Sequence, residues 1–139
     1  NFELRSTTAG SSSMKLKTYK LYDDMSAGLT LDKESFNVAL LEADGISAEV
    51  INIHTIKPLD EEIVLATAKK TGKVFVAEEH SVIGGLGSAV CDLLSEKAPT
   101  KVVKIGMNDK FGESASAGEL VKKYGLDGAG IYNTIKANL

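Results

Sequence analysis

Residues 73–97 constrain the fold more than any other part of this chain. They open with the apolar run VFVA, whose short length and β-branched and aromatic content favour a buried strand over a helix. Three ionisable residues, Glu78, Glu79 and His80, follow directly, and a glycine loop, GGLG, occupies residues 84–87. Apolar residues then recur at the spacing of one helix face: Leu86, Ala89, Val90, Leu93 and Leu94. This order predicts half of a βαβ unit, in which ligands and partners are met at the carboxyl ends of the strands.

The size and charge of the chain narrow its class. With 139 residues it is long enough for one domain with a hydrophobic core and too short for two. A net charge of −3 argues against nucleic-acid binding, because no basic face can replace the counterions of a phosphate backbone. No apolar run approaches the roughly 20 residues that span a bilayer, so no membrane association is expected. The single cysteine, Cys91, excludes an intrachain disulfide and favours a reducing compartment, the cytoplasm.

The first thirteen residues differ from the rest in composition. Residues 1–13 are polar and rich in Ser, Thr and Gly, which predicts a disordered tail, a tag remnant or an interdomain linker. The chain begins with Asn1 instead of methionine, as expected of a fragment or of a processed or tagged product. The folded domain is expected over residues 14–139.

Strand and helix signals alternate along that domain. Lysines alternate with apolar residues over positions 15–22, which favours an edge strand, and residues 24–29 (DMSAGL) are a weak strand candidate. Further strands are predicted at residues 48–53, 74–77 and 101–107, and helices are expected to start near Thr30 or Asp32, at Asp60, at the glycine loop 84–87, at Ser116 and at Asp127. The alternation predicts a three-layer α/β/α sandwich around a mostly parallel sheet.

The glycine loop has two interpretations. The segment GLG at residues 85–87 resembles the start of a dinucleotide fingerprint, but Val90 stands where the third glycine or alanine belongs. Free N–H groups at this helix start could bind a small anion such as phosphate. Alternatively, the glycines let the turn pass close to a neighbouring backbone. We favour the second interpretation.

The charged residues after the strand also have two interpretations. Glu78, Glu79 and His80 could form a general acid/base cluster, because like charges raise a carboxyl pKa and histidine titrates near neutrality. Alternatively, one carboxylate accepts N–H bonds at the start of the following helix while the other faces water. His54 follows another strand, so both histidines are expected at one edge of the sheet. No metal site is expected, because zinc requires three or four converging ligands.

Two longer segments carry a motif series of a known family. Residues 51–90 contain TIKPLD, EEH and GGLG in that order, and residues 111–126 read FGESASAGELVKKYGL. Together they closely resemble the C-terminal domain of transketolases, particularly the short or split bacterial kind. The resemblance covers residues 45–139 well, and it weakens at residues 22–29, where relatives have a fuller apolar strand. The C-terminal domain of 1-deoxy-xylulose-5-phosphate synthase is similar and shares the last segment, but TIKPLD and EEH favour transketolase.

The resemblance implies a fold and a role. It implies a five-stranded mixed sheet whose first strand is antiparallel, within an enzyme of the pentose phosphate pathway that transfers two-carbon ketol units between sugar phosphates. Thiamine diphosphate and Mg would bind between pyrophosphate- and pyrimidine-binding domains, usually in a homodimer. Neither domain has a counterpart here, so no catalytic residue or cofactor is assigned to this chain, which is expected to be inactive alone. The interdomain or anion-site candidates are His54, Glu78, Glu79, His80, Gly84, Gly85 and Gly87.

Overall fold

The computed structural model describes residues 17–22 and 38–139. Nine elements lie in these two ranges: β1 (Lys17–Tyr22), α1 (Val38–Ala43), β2 (Ser47–Asn52), α2 (Glu61–Thr71), β3 (Lys73–Ser81), α3 (Leu86–Lys97), β4 (Lys101–Met107), α4 (Ala117–Lys123) and α5 (Gly128–Ala137). The predicted tail at residues 1–13 and the weak strand at residues 24–29 lie outside them. The strands and helices predicted from Asp60 onward are confirmed.

The four strands form one sheet in the order β2-β1-β3-β4, and every pairing is parallel. The α/β architecture with parallel strands is therefore confirmed, whereas the expected fifth strand has no counterpart among the described residues. Lys17–Tyr22 pairs with β2 on one side and with β3 on the other. Our predictions of an edge strand at this segment and of an antiparallel first strand are wrong. The alternation of lysines with apolar residues indicates which side chains lie on each face of a strand. It does not indicate whether the backbone of the strand pairs on one side or on both.

The core consists of two apolar layers on opposite faces of β3. Val74 and Val76 pack with α2 and α3, and Phe75 and Ala77 pack with α1 and α5. All four side chains are 1% exposed or less. Because successive side chains of a strand point to opposite faces, a strand covered on both sides requires a continuous apolar run. This arrangement confirms the three-layer α/β/α sandwich.

The helices α2 and α5 begin at the aspartate caps that the sequence indicates, whereas the helix start predicted near Thr30 or Asp32 lies outside the described residues. Asp60 accepts a hydrogen bond from the N–H of Ile63 at 3.2 Å, and Asp127 accepts one from Gly130 at 2.8 Å. Gly72 ends α2 in the left-handed conformation at φ 73°, where glycine carries no steric penalty. Within the described residues, no helix has both the length and the apolar character needed to cross a bilayer.

Candidate functional site

Glu78, Glu79 and His80 form a bulge at the carboxyl end of β3. The pairing of β3 with β4 is regular before these residues and resumes after them, so the three stand opposite Gly106 alone. A Cβ atom at Gly106 would lie 2.7 Å from the carbonyl oxygen of His80 and 3.1 Å from that of Glu78. The close approach of β4 to the bulge therefore requires glycine. Bulges redirect side chains and are frequent beside functional sites.

Glu78 turns into the protein and caps α3. Its side chain is 2% exposed. One carboxylate oxygen accepts a hydrogen bond from the N–H of Leu86 at 2.8 Å, and the other accepts one from Gly87 at 2.9 Å. The first N–H groups of a helix have no intrahelical partner and favour a negative charge, so this contact satisfies both the amides and the buried carboxylate.

Glu79 and His80, in contrast, are exposed to solvent. The structure therefore corresponds to the interpretation in which one carboxylate caps the helix while its neighbour faces water. It does not bring Glu78 and Glu79 together as an acid/base pair, because the carboxylate of Glu78 is buried at the α3 start and Glu79 lies outside.

The glycine loop provides the space for the Glu78 carboxylate. A Cβ atom at Gly85 would lie 2.1 Å from a carboxylate oxygen of Glu78, and one at Gly87 would lie 3.1 Å from the other oxygen. Gly84 has no neighbour within 4 Å at its Cβ position, and its φ of +79° marks a turn. The glycines thus permit a close approach. A phosphate at this helix start would have to displace a buried carboxylate from the Leu86 and Gly87 amides.

The two histidines lie at the same edge of the sheet but on strands that are not neighbours. His54 follows β2 and His80 lies near the end of β3, while β1 runs between these strands. Both side chains are exposed. Across residues 17–22 and 38–139, no group of three or more His, Cys, Asp or Glu side chains is placed to hold a metal ion.

Cys91 lies in α3 and is partly buried. Burial raises the pKa of its thiol, although Lys104 lowers that pKa and partly offsets the effect. A raised pKa keeps the thiol protonated and weakly nucleophilic. Cys91 is therefore a packed side chain and not a catalytic candidate.

Sequence reasoning missed two exposed apolar side chains at the carboxyl edge. Ile83 lies in the loop after β3 and is 63% exposed, and Phe111 lies in the loop after β4 and is 99% exposed. The N–H of Val82 donates to the carbonyl of Met107 at 3.0 Å and thereby joins the starts of these two loops. We call Glu79, His80, Ile83 and Phe111 the carboxyl-edge surface.

Fold and site together define a class: a parallel three-layer α/β domain with a glycine loop after its buried strand and an exposed, partly apolar carboxyl edge. Residues 28–131 match the family model described as the C-terminal domain of transketolase. The chain belongs to this family.

Individual relatives agree with this assignment. The chain is 51% identical over 86 residues to the 6-deoxy-6-sulfo-D-fructose transketolase subunit SqwH of Clostridium sp. (strain MSTE9), covering 62% of this chain and 27% of that protein. It is 46% identical over 97 residues to a putative transketolase C-terminal section of Methanocaldococcus jannaschii, covering 69% of this chain and 30% of the relative.

A solved structure and a second enzyme group extend the comparison. The structure titled as a split gene transketolase, inactive beta4 tetramer, is 38% identical, has a TM-score of 0.76 and covers 89% of this chain and 39% of its own. The 1-deoxy-D-xylulose-5-phosphate synthase of Caldanaerobacter subterraneus subsp. tengcongensis is 38% identical over 109 residues, or 78% of this chain and 18% of the synthase. The chain thus spans less than a third of the length of these curated relatives.

One feature of the described residues bears on the diphosphate of a thiamine coenzyme. The helix start that could bind phosphate, at α3, already holds the Glu78 carboxylate. No step of coenzyme chemistry is therefore assigned to these residues.

Proposed function

We propose that this chain is the C-terminal domain of a transketolase, an enzyme that uses thiamine diphosphate and Mg to transfer two-carbon ketol units between sugar phosphates, as in the pentose phosphate pathway. In this proposal the domain supports assembly and does not catalyse the reaction alone. The observation that carries it is the match of residues 28–131 to the transketolase C-terminal family. The Glu78 carboxylate occupies the start of α3, the helix start that could otherwise bind a diphosphate, and this supports a non-catalytic role.

The partners in this proposal are the pyrophosphate- and pyrimidine-binding domains, on the same chain or on another subunit of a homodimeric enzyme. Two observations support it. The curated relatives are more than three times as long as the regions that match this chain. The exposed side chains of Ile83 and Phe111 offer apolar area at the edge where α/β domains usually meet partners. The single cysteine supports a cytoplasmic location.

A coupled assay tests this proposal. The purified chain is supplied with thiamine diphosphate, magnesium, a ketose phosphate donor and an aldose phosphate acceptor, with and without the two coenzyme-binding domains. We expect turnover only when those domains are present. Turnover by this chain alone would contradict the proposal, as would full activity of the coenzyme-binding domains without it.

A second candidate is the C-terminal domain of a 1-deoxy-xylulose-5-phosphate synthase. The similarity to the synthase covers 78% of this chain, a larger share than the similarity to the transketolase subunit, although the identity is lower. The reaction product distinguishes the two. Assembled enzyme that forms 1-deoxy-D-xylulose 5-phosphate and does not transfer a ketol unit between sugar phosphates would establish the second candidate.

A further inference from the structure

The start of α3 is capped from a distant residue. Its N-cap position is Gly85, which makes no side-chain capping bond. Helices that only need a cap usually place Ser, Thr, Asn or Asp at this position. Here the carboxylate comes from Glu78 in β3, eight and nine residues before the amides that it binds. The helix start and the end of the strand therefore form one unit.

The same carboxylate determines which side chains the bulge exposes. Successive residues of an extended chain point in opposite directions, so drawing Glu78 inward sends Glu79 outward. On the other side of the bulge, Gly106 admits the carbonyls of Glu78 and His80 within distances that a Cβ atom would forbid. Beyond it, the ammonium of Lys104 donates to the carbonyl of Val82 at 2.6 Å. The bulge is thus fixed from α3 and from β4.

We propose that Glu78 is a positioning residue: its buried carboxylate holds the bulge in the one conformation that presents Glu79 and His80 to the coenzyme-binding domains. This inference rests on the proposed function, because it assigns a purpose to the carboxyl-edge surface. Glu78 acts through its neighbours and touches no substrate. Its role is to make the docking edge rigid before the partner arrives, which lowers the entropic cost of association.

The substitution Glu78→Gln tests the contact between the Glu78 carboxylate and the α3 amides, because it changes the shape of the side chain little. A glutamine side chain has one acceptor oxygen, so it can satisfy only one of the two amides and turns its NH2 group toward the other. We expect the NMR signals of the Leu86 and Gly87 amides and of the His80 ring to shift in this variant. Glu96→Gln, an exposed residue of α3 with the same change in charge, is the matched control and should leave those signals in place.

Association with the coenzyme-binding domains is the decisive measurement. It is made by calorimetric titration at a temperature where circular dichroism shows each variant folded. We expect Glu78→Gln to weaken association about tenfold or more, the scale of one lost interface anchor. Glu96→Gln should associate like the wild type. A purely structural role would lower the unfolding midpoint of Glu78→Gln and leave the affinity of the folded protein unchanged, which would overturn the inference.

Two further results bear on the inference: failure of the wild-type components to associate, and failure of Glu78→Gln to fold. If the wild-type chain and the coenzyme-binding domains do not associate, the proposed function fails. The NMR shifts would still show whether the Glu78 carboxylate holds the α3 amides and the bulge. If Glu78→Gln does not fold, Gly106→Ala replaces it, because the added Cβ atom disturbs the bulge from β4 and leaves the α3 amides paired. Wild-type affinity in a folded Gly106→Ala whose His80 signals have moved would likewise overturn the inference.

Discussion

At the scale of single residues, the absence of a Cβ atom at Gly85 leaves the space that the buried Glu78 carboxylate occupies. The Cβ position of Gly85 is 2.1 Å from a carboxylate oxygen of Glu78. Gly85→Ala must therefore push the buried carboxylate away from the α3 amides, and overpacking of this kind costs about 1–3 kcal/mol. We expect the free energy of unfolding, measured by urea denaturation, to fall by that amount.

Gly118→Ala is the matched control. Gly118 lies in α4 with open space around its Cβ position. Alanine there should raise the free energy of unfolding by about 0.4–1 kcal/mol, since it restricts the unfolded chain. Equal effects of the two substitutions would show that the Glu78 carboxylate is not fixed where the structure places it.

The Asp44 carboxylate should make the free energy of unfolding depend on pH. One of its carboxylate oxygens accepts hydrogen bonds from the hydroxyl of Tyr132 and from the ammonium of Lys136, the latter at 2.9 Å. The Tyr132 bond first, and Lys136 second, lower the pKa of Asp44. A carboxylate with a lowered pKa stabilises the folded state above its unfolded pKa of roughly 3.9, and this contribution is lost as the pH falls through the folded value.

Asp44→Asn should therefore destabilise the protein at neutral pH and have less effect in acid. We expect the difference in unfolding free energy from wild type to be larger at about pH 6 than at about pH 3, which lies below the unfolded pKa, so that the contribution of the carboxylate is already reduced there. Tyr132→Phe removes the larger cause and should reproduce part of the effect. A difference that stays constant between the two pH values would contradict the lowered pKa.

Sequence reasoning reached some of these residues and not others. The interpretation that one of the carboxylates of Glu78 and Glu79 caps the helix followed from their place just before a glycine-opened helix, but the sequence did not indicate which of the two it is. The exposure of Ile83 and Phe111 did not follow, because single apolar residues in loops are buried or exposed according to tertiary contacts that periodicity does not contain.

At the scale of elements, the sequence pattern predicted the burial of a strand but not the position of a strand in the sheet. The two-sided burial of β3 could be predicted, since its apolar run is continuous and both faces are covered. The place of Lys17–Tyr22 could not, because the order of strands in a sheet is set by crossovers and backbone pairing. The two helix starts with clear aspartate caps, at Asp60 and Asp127, were correct.

The cap of α2 makes an element-scale prediction. The Asp60 carboxylate accepts a hydrogen bond from the N–H of Ile63 at an exposed helix start, and alanine removes that acceptor. Asp60→Ala should lower the free energy of unfolding by about 1 kcal/mol, whereas Asp60→Asn should preserve it, because asparagine caps about as well. Thermal and urea denaturation of both variants check this. A loss of the same size in Asp60→Asn would mean that the charge at the helix start, and not the capping bond, is responsible.

At the scale of the whole molecule, the described residues pack on both faces of the sheet, and the two most exposed large apolar side chains among them, Ile83 and Phe111, follow the ends of β3 and β4. The described strands all run in the same direction, so their carboxyl ends share one edge with the bulge and the two apolar loops. The curated relatives are much longer than the regions that match this chain, and under the proposed function the coenzyme-binding domains cover part of this surface. Among the described residues, covering the carboxyl-edge surface would remove the two most exposed large apolar side chains from water.

Substitution of Phe111 tests whether the coenzyme-binding domains associate with the carboxyl-edge surface or with another part of the domain. Phe111 is 99% exposed, so Phe111→Ser removes no core contact and should change the free energy of unfolding by less than about 0.5 kcal/mol. Its association with the coenzyme-binding domains should nevertheless weaken about tenfold or more, since buried aromatic anchors contribute strongly to interfaces. Leu40→Ser is the control, because Leu40 is 48% exposed on α1, away from the carboxyl edge. Sedimentation velocity of the mixed components should show assembly lost for Phe111→Ser and retained for Leu40→Ser, and the reverse result would place the interface on the α1 face.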